Sequence, residues 1–146
     1  MEVKGLHHIA IKANDVDQTI SFYTNVLNFT VRHEWSIPSF NLKRGVMMKS
    51  FDEQSYIEIF DKEANIAAQG RLRMNNEEIV QGSILHMAFT VKDAEAIYNK
   101  AILLGAKSIL SPMSVDLGGT PTIIVRNALV EGLNGEIIEL LEENDL

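Results

Sequence analysis

Two histidines and two glutamates stand at matched places in two halves of this 146-residue chain. Residues 8–15 read His-Ile-Ala-Ile-Lys-Ala-Asn-Asp, and residues 86–93 read His-Met-Ala-Phe-Thr-Val-Lys-Asp. Each stretch opens on histidine, keeps alanine two residues on and reaches aspartate seven residues on. Each half then sets a glutamate inside an aliphatic run: Glu58 in Tyr-Ile-Glu-Ile-Phe and Glu139 in Ile-Ile-Glu-Leu-Leu. The histidine-to-glutamate interval is 50 residues in the first half (8 to 58) and 53 in the second (86 to 139). A carboxylate between apolar strand neighbours is costly to bury without a cation or strong hydrogen bonds. Two imidazoles and two carboxylates meeting in one cavity would answer that cost, and such an N₂O₂ set suits a divalent Zn, Ni, Co, Mn or Fe ion. His8, Glu58, His86 and Glu139 are therefore the candidate metal ligands. His7, His33, Trp35 and Met47-Met48 read as structural residues.

The elements that would position these four follow from periodicity. Residues 6–12 alternate as a strand. Asp15 caps a helix, with Gln18 completing a capping-box pattern, and Val16, Ile20, Tyr23 and Leu27 form its expected buried stripe. Asn28 suits a left-handed C-cap. Strands are expected over 29–36, 44–50 and 55–61. In the second half a strand covers 84–91 and Asp93 caps a helix. The stripe of that helix is Ala94, Ile97, Ala101 and Leu104, closed by Gly105. Strands near 107–110, 121–129 and 136–142 follow, the last two joined by a type I′ turn at Asn134-Gly135. Each half is thus β-α-β-β-β, and the expected class is α+β. The expected organisation is a single domain over 1–146, with modules 1–62 and 83–146 and a connector over 63–82 that reads as loop with a short helix. Period two places Glu139 on the side opposite Glu136 and Glu142, apart from the rest of the acidic C-terminal run.

Composition narrows the function. Hydrophobic residues make up 46% and charged residues 23%, typical of a globular protein. A net charge of −7 argues against nucleic acid and against anionic membranes. The absence of cysteine removes disulfides, thiolate ligands and a cysteine nucleophile. No apolar run approaches the ~18 residues of a membrane span, and the start carries no apolar signal core, so the cytoplasm is the expected compartment.

The pattern resembles the vicinal oxygen chelate superfamily, which includes glyoxalase I, extradiol dioxygenases and the fosfomycin- and bleomycin-resistance proteins. The resemblance rests on His8 through Asp15-Val16 to Phe22-Tyr23 and Val26-Leu27-Asn28-Phe29. It rests also on Asn134-Gly135-Glu136-Ile137-Ile138-Glu139-Leu140. Asn28 stands where the family usually has glycine, and Leu133 where proline is usual. The resemblance implies paired βαβββ modules forming a cupped mixed sheet around a divalent metal, with ligands at His8, Glu58, His86 and Glu139. Four protein ligands are closest to glyoxalase I. That likeness implies a lyase or isomerase acting on a small oxygen-chelating substrate through an enediolate-like intermediate. Glu139 would then be the proton-transferring carboxylate and Glu58 its counterpart. Lys12 and Lys62 occupy positions where glyoxalase I tends to carry an arginine and an asparagine that hold glutathione. Here they would meet an anionic substrate group. Two other readings stay open: an Fe(II)-dependent oxygenase, and a non-catalytic small-molecule-binding protein of the resistance type. Open sheet edges, together with the habits of relatives, imply a homodimer.

Overall fold

The computed structural model describes residues 3–67, 75, 84–144 and 146. The chain forms two compact units, Met1–Gln69 and Gly70–Leu146. Most of the expected connector, 63–82, lies outside the described residues.

The first unit runs β1 (His8–Ala13), α1 (Val16–Leu27), β2 (Thr30–Ile37), β3 (Leu42–Lys49) and β4 (Tyr56–Asp61), with one 3₁₀ turn at Pro38–Phe40 between β2 and β3. Its sheet order is β1-β4-β3-β2: β1 lies parallel to β4, and the other pairings are antiparallel. The second unit repeats the plan with β5 (Met87–Val91), α2 (Ala94–Leu103), β6 (Lys107–Asp116), β7 (Ile124–Glu131) and β8 (Ile137–Glu142), in the order β5-β8-β7-β6. Both are mixed four-stranded βαβββ sheets, so the α+β class read from the sequence holds.

The helix starts form as their side chains dictate. Asp15 and Asp93 are extended N-caps whose carboxylates accept from Gln18 N and Ala96 N, each at 2.9 Å. Asn28 closes α1 in the left-handed region at φ 57°, a conformation asparagine tolerates better than most residues. In α2 the C-cap is Leu104, and Gly105 follows at φ 105°.

The stripe of α1 is turned from its expected phase. Thr19, Phe22, Tyr23 and Val26 are buried, while Val16, Ile20 and Leu27 flank them half-buried. Thr19 can enter the core because its hydroxyl donates to the Asp15 carbonyl at 2.7 Å, satisfying the polar atom within the helix. Tyr23 packs edge-on against Phe22 and Phe29 at 5.8 and 6.0 Å. In α2 only Ala94 and Ala101 are buried; Ile97 is half-buried and Leu104 is 39% exposed.

Two hairpins also differ from expectation. β6 continues to Asp116, past Pro112, because the register shifts between Leu110 and Met113 and a proline without an N–H can sit at such a bulge. Asn134-Gly135 does not form a type I′ turn, which needs positive φ at both residues. Gly135 alone is left-handed, at φ 93°, and the loop spans three residues between the Gly132 N–H to Glu136 carbonyl pair. The Glu136 side chain folds over this turn and accepts from Asn134 N at 2.8 Å. A Cβ on Gly132 would lie 2.5 Å from that carboxylate, so a larger residue there would push the Glu136 side chain aside.

Alternation gives each sheet two unlike faces. In the first unit Val46, Met48, Ile57 and Ile59 are buried, with α1 supplying the matching apolar stripe. Met47, Tyr56, Glu58 and Phe60 project to the other side and are half-exposed. In the second unit Ala128, Val130, Ile138 and Leu140 are buried, and Ile137, Glu139 and Leu141 are half-exposed on the other side. Arginines at equivalent places tie helix to sheet in each unit. Arg44 pairs with Asp17 at 2.7 Å, and Arg126 pairs with Glu95 at 3.1 Å.

Candidate functional site

Strand register brings each histidine to its glutamate. Glu58 lies opposite Ala10 across the parallel β1–β4 pair, and Glu139 lies opposite Ala88 across β5–β8. Alanine keeps the space beside each carboxylate open, which is the structural meaning of the alanine shared by the two sequence stretches. The histidine two residues earlier projects from the same side and meets the carboxylate on the diagonal. His8 Nε2 stands 3.2 Å from Glu58 Oε2, and His86 Nε2 stands 3.2 Å from Glu139 Oε2. His86 lies one residue before β5, so its strand starts later than the expected 84. Both imidazoles are more than a third exposed, whereas both carboxylates are 15% exposed.

A metal fits this spacing. Two donors each about 2.1 Å from one ion lie about 3.0 Å apart at a right angle and about 3.4 Å apart at the tetrahedral angle. Each His–Glu pair falls between those limits. Within either unit, no third His, Asp or Glu joins the pair among the described residues.

The other carboxylates of the C-terminal run have separate tasks. Glu142 accepts from Ala94 N at 3.0 Å at the start of α2, and Glu136 serves the β7–β8 turn. Glu139 alone of the three belongs to the half-open face. Lys12 follows His8 and Ala10 on one side of β1 and is exposed. Lys62 is exposed in the turn directly after β4. Trp35, which reads as core from the sequence, is only half-buried. Its indole lies across Gly45, where an added Cβ would come within 2.7 Å of the ring. It meets Phe60 edge-on at 6.0 Å.

Two neighbours of the pairs do not stand out as site residues in the sequence. His7 Nδ1 lies 2.9 Å from His8 Nδ1, and the His7 ring stacks on Tyr56 at 4.9 Å. Asn127 Nδ2 donates to Glu139 Oε1 at 2.6 Å, and the asparagine is 9% exposed. The signal for Asn127 was a polar residue within the aliphatic run Ile-Ile-Val-Arg-Asn-Ala-Leu-Val, where an amide is out of place without a partner.

The chain belongs to the Glyoxalase/Bleomycin resistance protein/Dioxygenase superfamily, whose family model matches residues 5–139. Solved structures share the fold. A glyoxalase family protein from Bacillus cereus superposes with a TM-score of 0.74 at 18% identity, covering 98% of this chain and 96% of that one. The fosfomycin resistance protein FosX of Listeria monocytogenes, solved with Mn(II) and sulfate, gives 0.62 at 16% identity, covering 97% and 94%. Glyoxalase I from Zea mays gives 0.65 at 17% identity; the match covers 94% of this chain but 44% of the maize enzyme. Comparison with curated protein sequences finds no significant match. Among the described residues, no helix is long and apolar enough to cross a membrane.

Proposed function

We propose that this chain is a metal-dependent lyase or isomerase of glyoxalase I type, with His8, Glu58, His86 and Glu139 holding one divalent ion. The observation that carries the reading is the pair of His–Glu contacts at repeat-equivalent positions, both at 3.2 Å. Neither contact alone distinguishes a ligand pair from an ordinary ion pair. Their duplication with the same atoms, on the half-open face of each sheet, supports reading both as ligand pairs. The donor set of two imidazoles and two carboxylates accepts Zn, Ni, Co, Mn or Fe.

Such an ion supplies Lewis-acid stabilisation of negative charge developing on neighbouring substrate oxygens. The chain's own groups do the rest. A carboxylate, Glu139 with Glu58 as counterpart, takes the proton from the carbon next to the substrate carbonyl and returns it to the adjacent carbon. An enediolate-like intermediate lies between the two transfers. Lys12 and Lys62 offer positive charge to an anionic part of the substrate. Glutathione is not singled out, because these lysines replace the arginine and asparagine seen in glyoxalase I. Exposed Leu6, Ile9, Ile84 and Leu85 lie at or just before the edge strands β1 and β5, and they favour a homodimer. A monomer mass by light scattering at micromolar concentration would refute that assembly.

Elemental analysis of the purified protein tests the central reading and should return about one divalent metal per chain. His86→Ala should lose most of it, because an affinity built from four ligands falls steeply when one is removed. Full metal retention in that variant would end the assignment. Turnover tests with methylglyoxal and several thiols then address the reaction. Oxygen consumption by the Fe(II) protein would instead favour an oxygenase, and tight ligand binding insensitive to chelators would favour a binding protein.

A further inference from the structure

The geometry points to Asn127 as a positioning residue that makes the two metal-site carboxylates inequivalent. It pins Glu139 Oε1 so that only Oε2, beside His86, is presented to a metal. This inference rests on the metal-site reading above.

The origin is a diagonal across β7 and β8. Leu129 is the direct partner of Glu139 and Asn127 that of Leu141, so Asn127 sits two residues along on the same face, within reach of the carboxylate. A carboxylate only accepts hydrogen bonds, so the amide must turn its NH₂ to Glu139. The 2.6 Å contact is short, as expected for a donor meeting a charged oxygen. Among the described residues the buried Asn127 Oδ1 meets no donor, so the contact with Glu139 alone sets the orientation of the amide.

Among the described residues, the first unit has no counterpart. Glu58 lies opposite Met47, and the equivalent diagonal position is Gly45, paired with Phe60. Glycine has no side chain to donate, and Trp35 occupies the space above it. Glu58 Oε2 meets His8, while Oε1 receives no amide from that direction.

This difference sets opposite consequences for two otherwise identical substitutions. A glutamine at 58 can turn its single oxygen to a metal. A glutamine at 139 has one oxygen and two claimants, the Asn127 NH₂ and the ion; satisfying both would require Asn127 to turn its amide over and bury the NH₂ where Oδ1 now has no partner, at a cost in desolvation. If the oxygen goes to Asn127, the NH₂ faces the metal and cannot ligate it.

The test is a cycle on the full-length protein with Co(II) and Zn(II). Affinity is read by chelator competition and coordination by the visible spectrum of the Co(II) protein. Glu139→Gln is expected to weaken metal binding about 10- to 100-fold more than Glu58→Gln does, the range for disturbing a residue that orients a ligand. Adding Asn127→Leu, which keeps the volume but removes the donor, should abolish most of that gap. Asn127→Leu by itself should change the Co(II) spectrum at full occupancy, which a loss of packing stability would not do. Equal losses in the two glutamine variants, or a gap that survives Asn127→Leu, overturn the inference. If the wild-type protein takes up neither ion, the metal reading fails separately. The positioning role is then judged in the metal-free protein by NMR. The Asn127 side-chain amide should exchange slowly and shift in Glu139→Ala, and an amide indifferent to that change overturns it.

Discussion

The two βαβββ units build the same His–Glu contact by the same strand register but support it from opposite ends. In the first unit the histidine is held: His7 meets His8 Nδ1 at 2.9 Å and is itself stacked on Tyr56. In the second unit the residue before His86 is Leu85, which is exposed and offers no ring nitrogen. There the glutamate is held instead, by Asn127 at 2.6 Å, where the first unit has Gly45. The helices diverge in the same way. α1 buries Phe22 and Tyr23, whereas α2 buries only Ala94 and Ala101, with Ala101 at the place equivalent to Tyr23. A duplicated frame keeps what both halves need, namely the register and the pair. It lets the supporting residues differ, because a histidine–carboxylate pair can be fixed through either partner.

The largest expected effect separates the two carboxylates. At saturating metal and with an active substrate, Glu139→Gln should lower kcat by about 10²- to 10⁴-fold, the usual cost of losing a general base. Glu58→Gln should cost less if its role is that of counterpart. Unchanged kcat for Glu139→Gln at equal metal occupancy would make Glu139 a ligand only and move the proton-transfer role to the first unit.

A middle-sized effect probes the support of the histidines. A His8 that ligates through Nε2 carries its proton on Nδ1 and donates it to His7 Nδ1, which fixes the tautomer and the ring plane. His7→Ala should therefore weaken metal binding by about 10-fold. Leu85→Ala, the equivalent change in the second unit, should leave affinity within about twofold, since it removes no polar contact. Chelator competition measures both, and equal losses would show that the asymmetry seen around the histidines has no energetic weight.

The smallest effect concerns the equivalent carboxylates Asp61 and Glu142 at the ends of β4 and β8. Burial pushes the Asp61 carboxyl up, but the backbone N–H groups of Arg44, Glu63 and Lys43 outweigh it and hold the group below the usual carboxylate range. A depressed native pKa means that the ionised form is favoured by folding. The stabilisation is complete above the unfolded value of about 3.9 and is lost as pH falls through the lower native one. Acid titration of stability should therefore show a loss that begins near pH 4 and is smaller in Asp61→Asn. An unchanged acid limb in that variant would show that the backbone contacts carry no linkage.

Much of the frame was legible in the sequence because it depends on local chemistry. Helix caps at Asp15 and Asp93, the left-handed Asn28 and the order of strands all follow from residues that act on their immediate neighbours. The expected type I′ turn does not form because Asn-Gly favours that turn only when the loop is two residues long. Here three residues separate Gly132 from Glu136, which are joined by the Gly132 N–H to Glu136 carbonyl bond. The phase of α1 departs from the apolar periodicity because a hydroxyl that bonds within its own helix is already satisfied, so Thr19 turns inward.

By itself, then, the sequence determined that two halves repeat, that each carries one histidine and one glutamate on a strand, and that period two separates Glu139 from Glu136 and Glu142. These depend on spacing along one strand. The tertiary structure decided which residues stand behind the pairs. Asn127 reaches Glu139 across a diagonal between two strands, and Trp35 covers the matching place in the other unit. Those neighbours are set by register and bulges across the sheet, where a shift of one residue would turn every side chain to the opposite face.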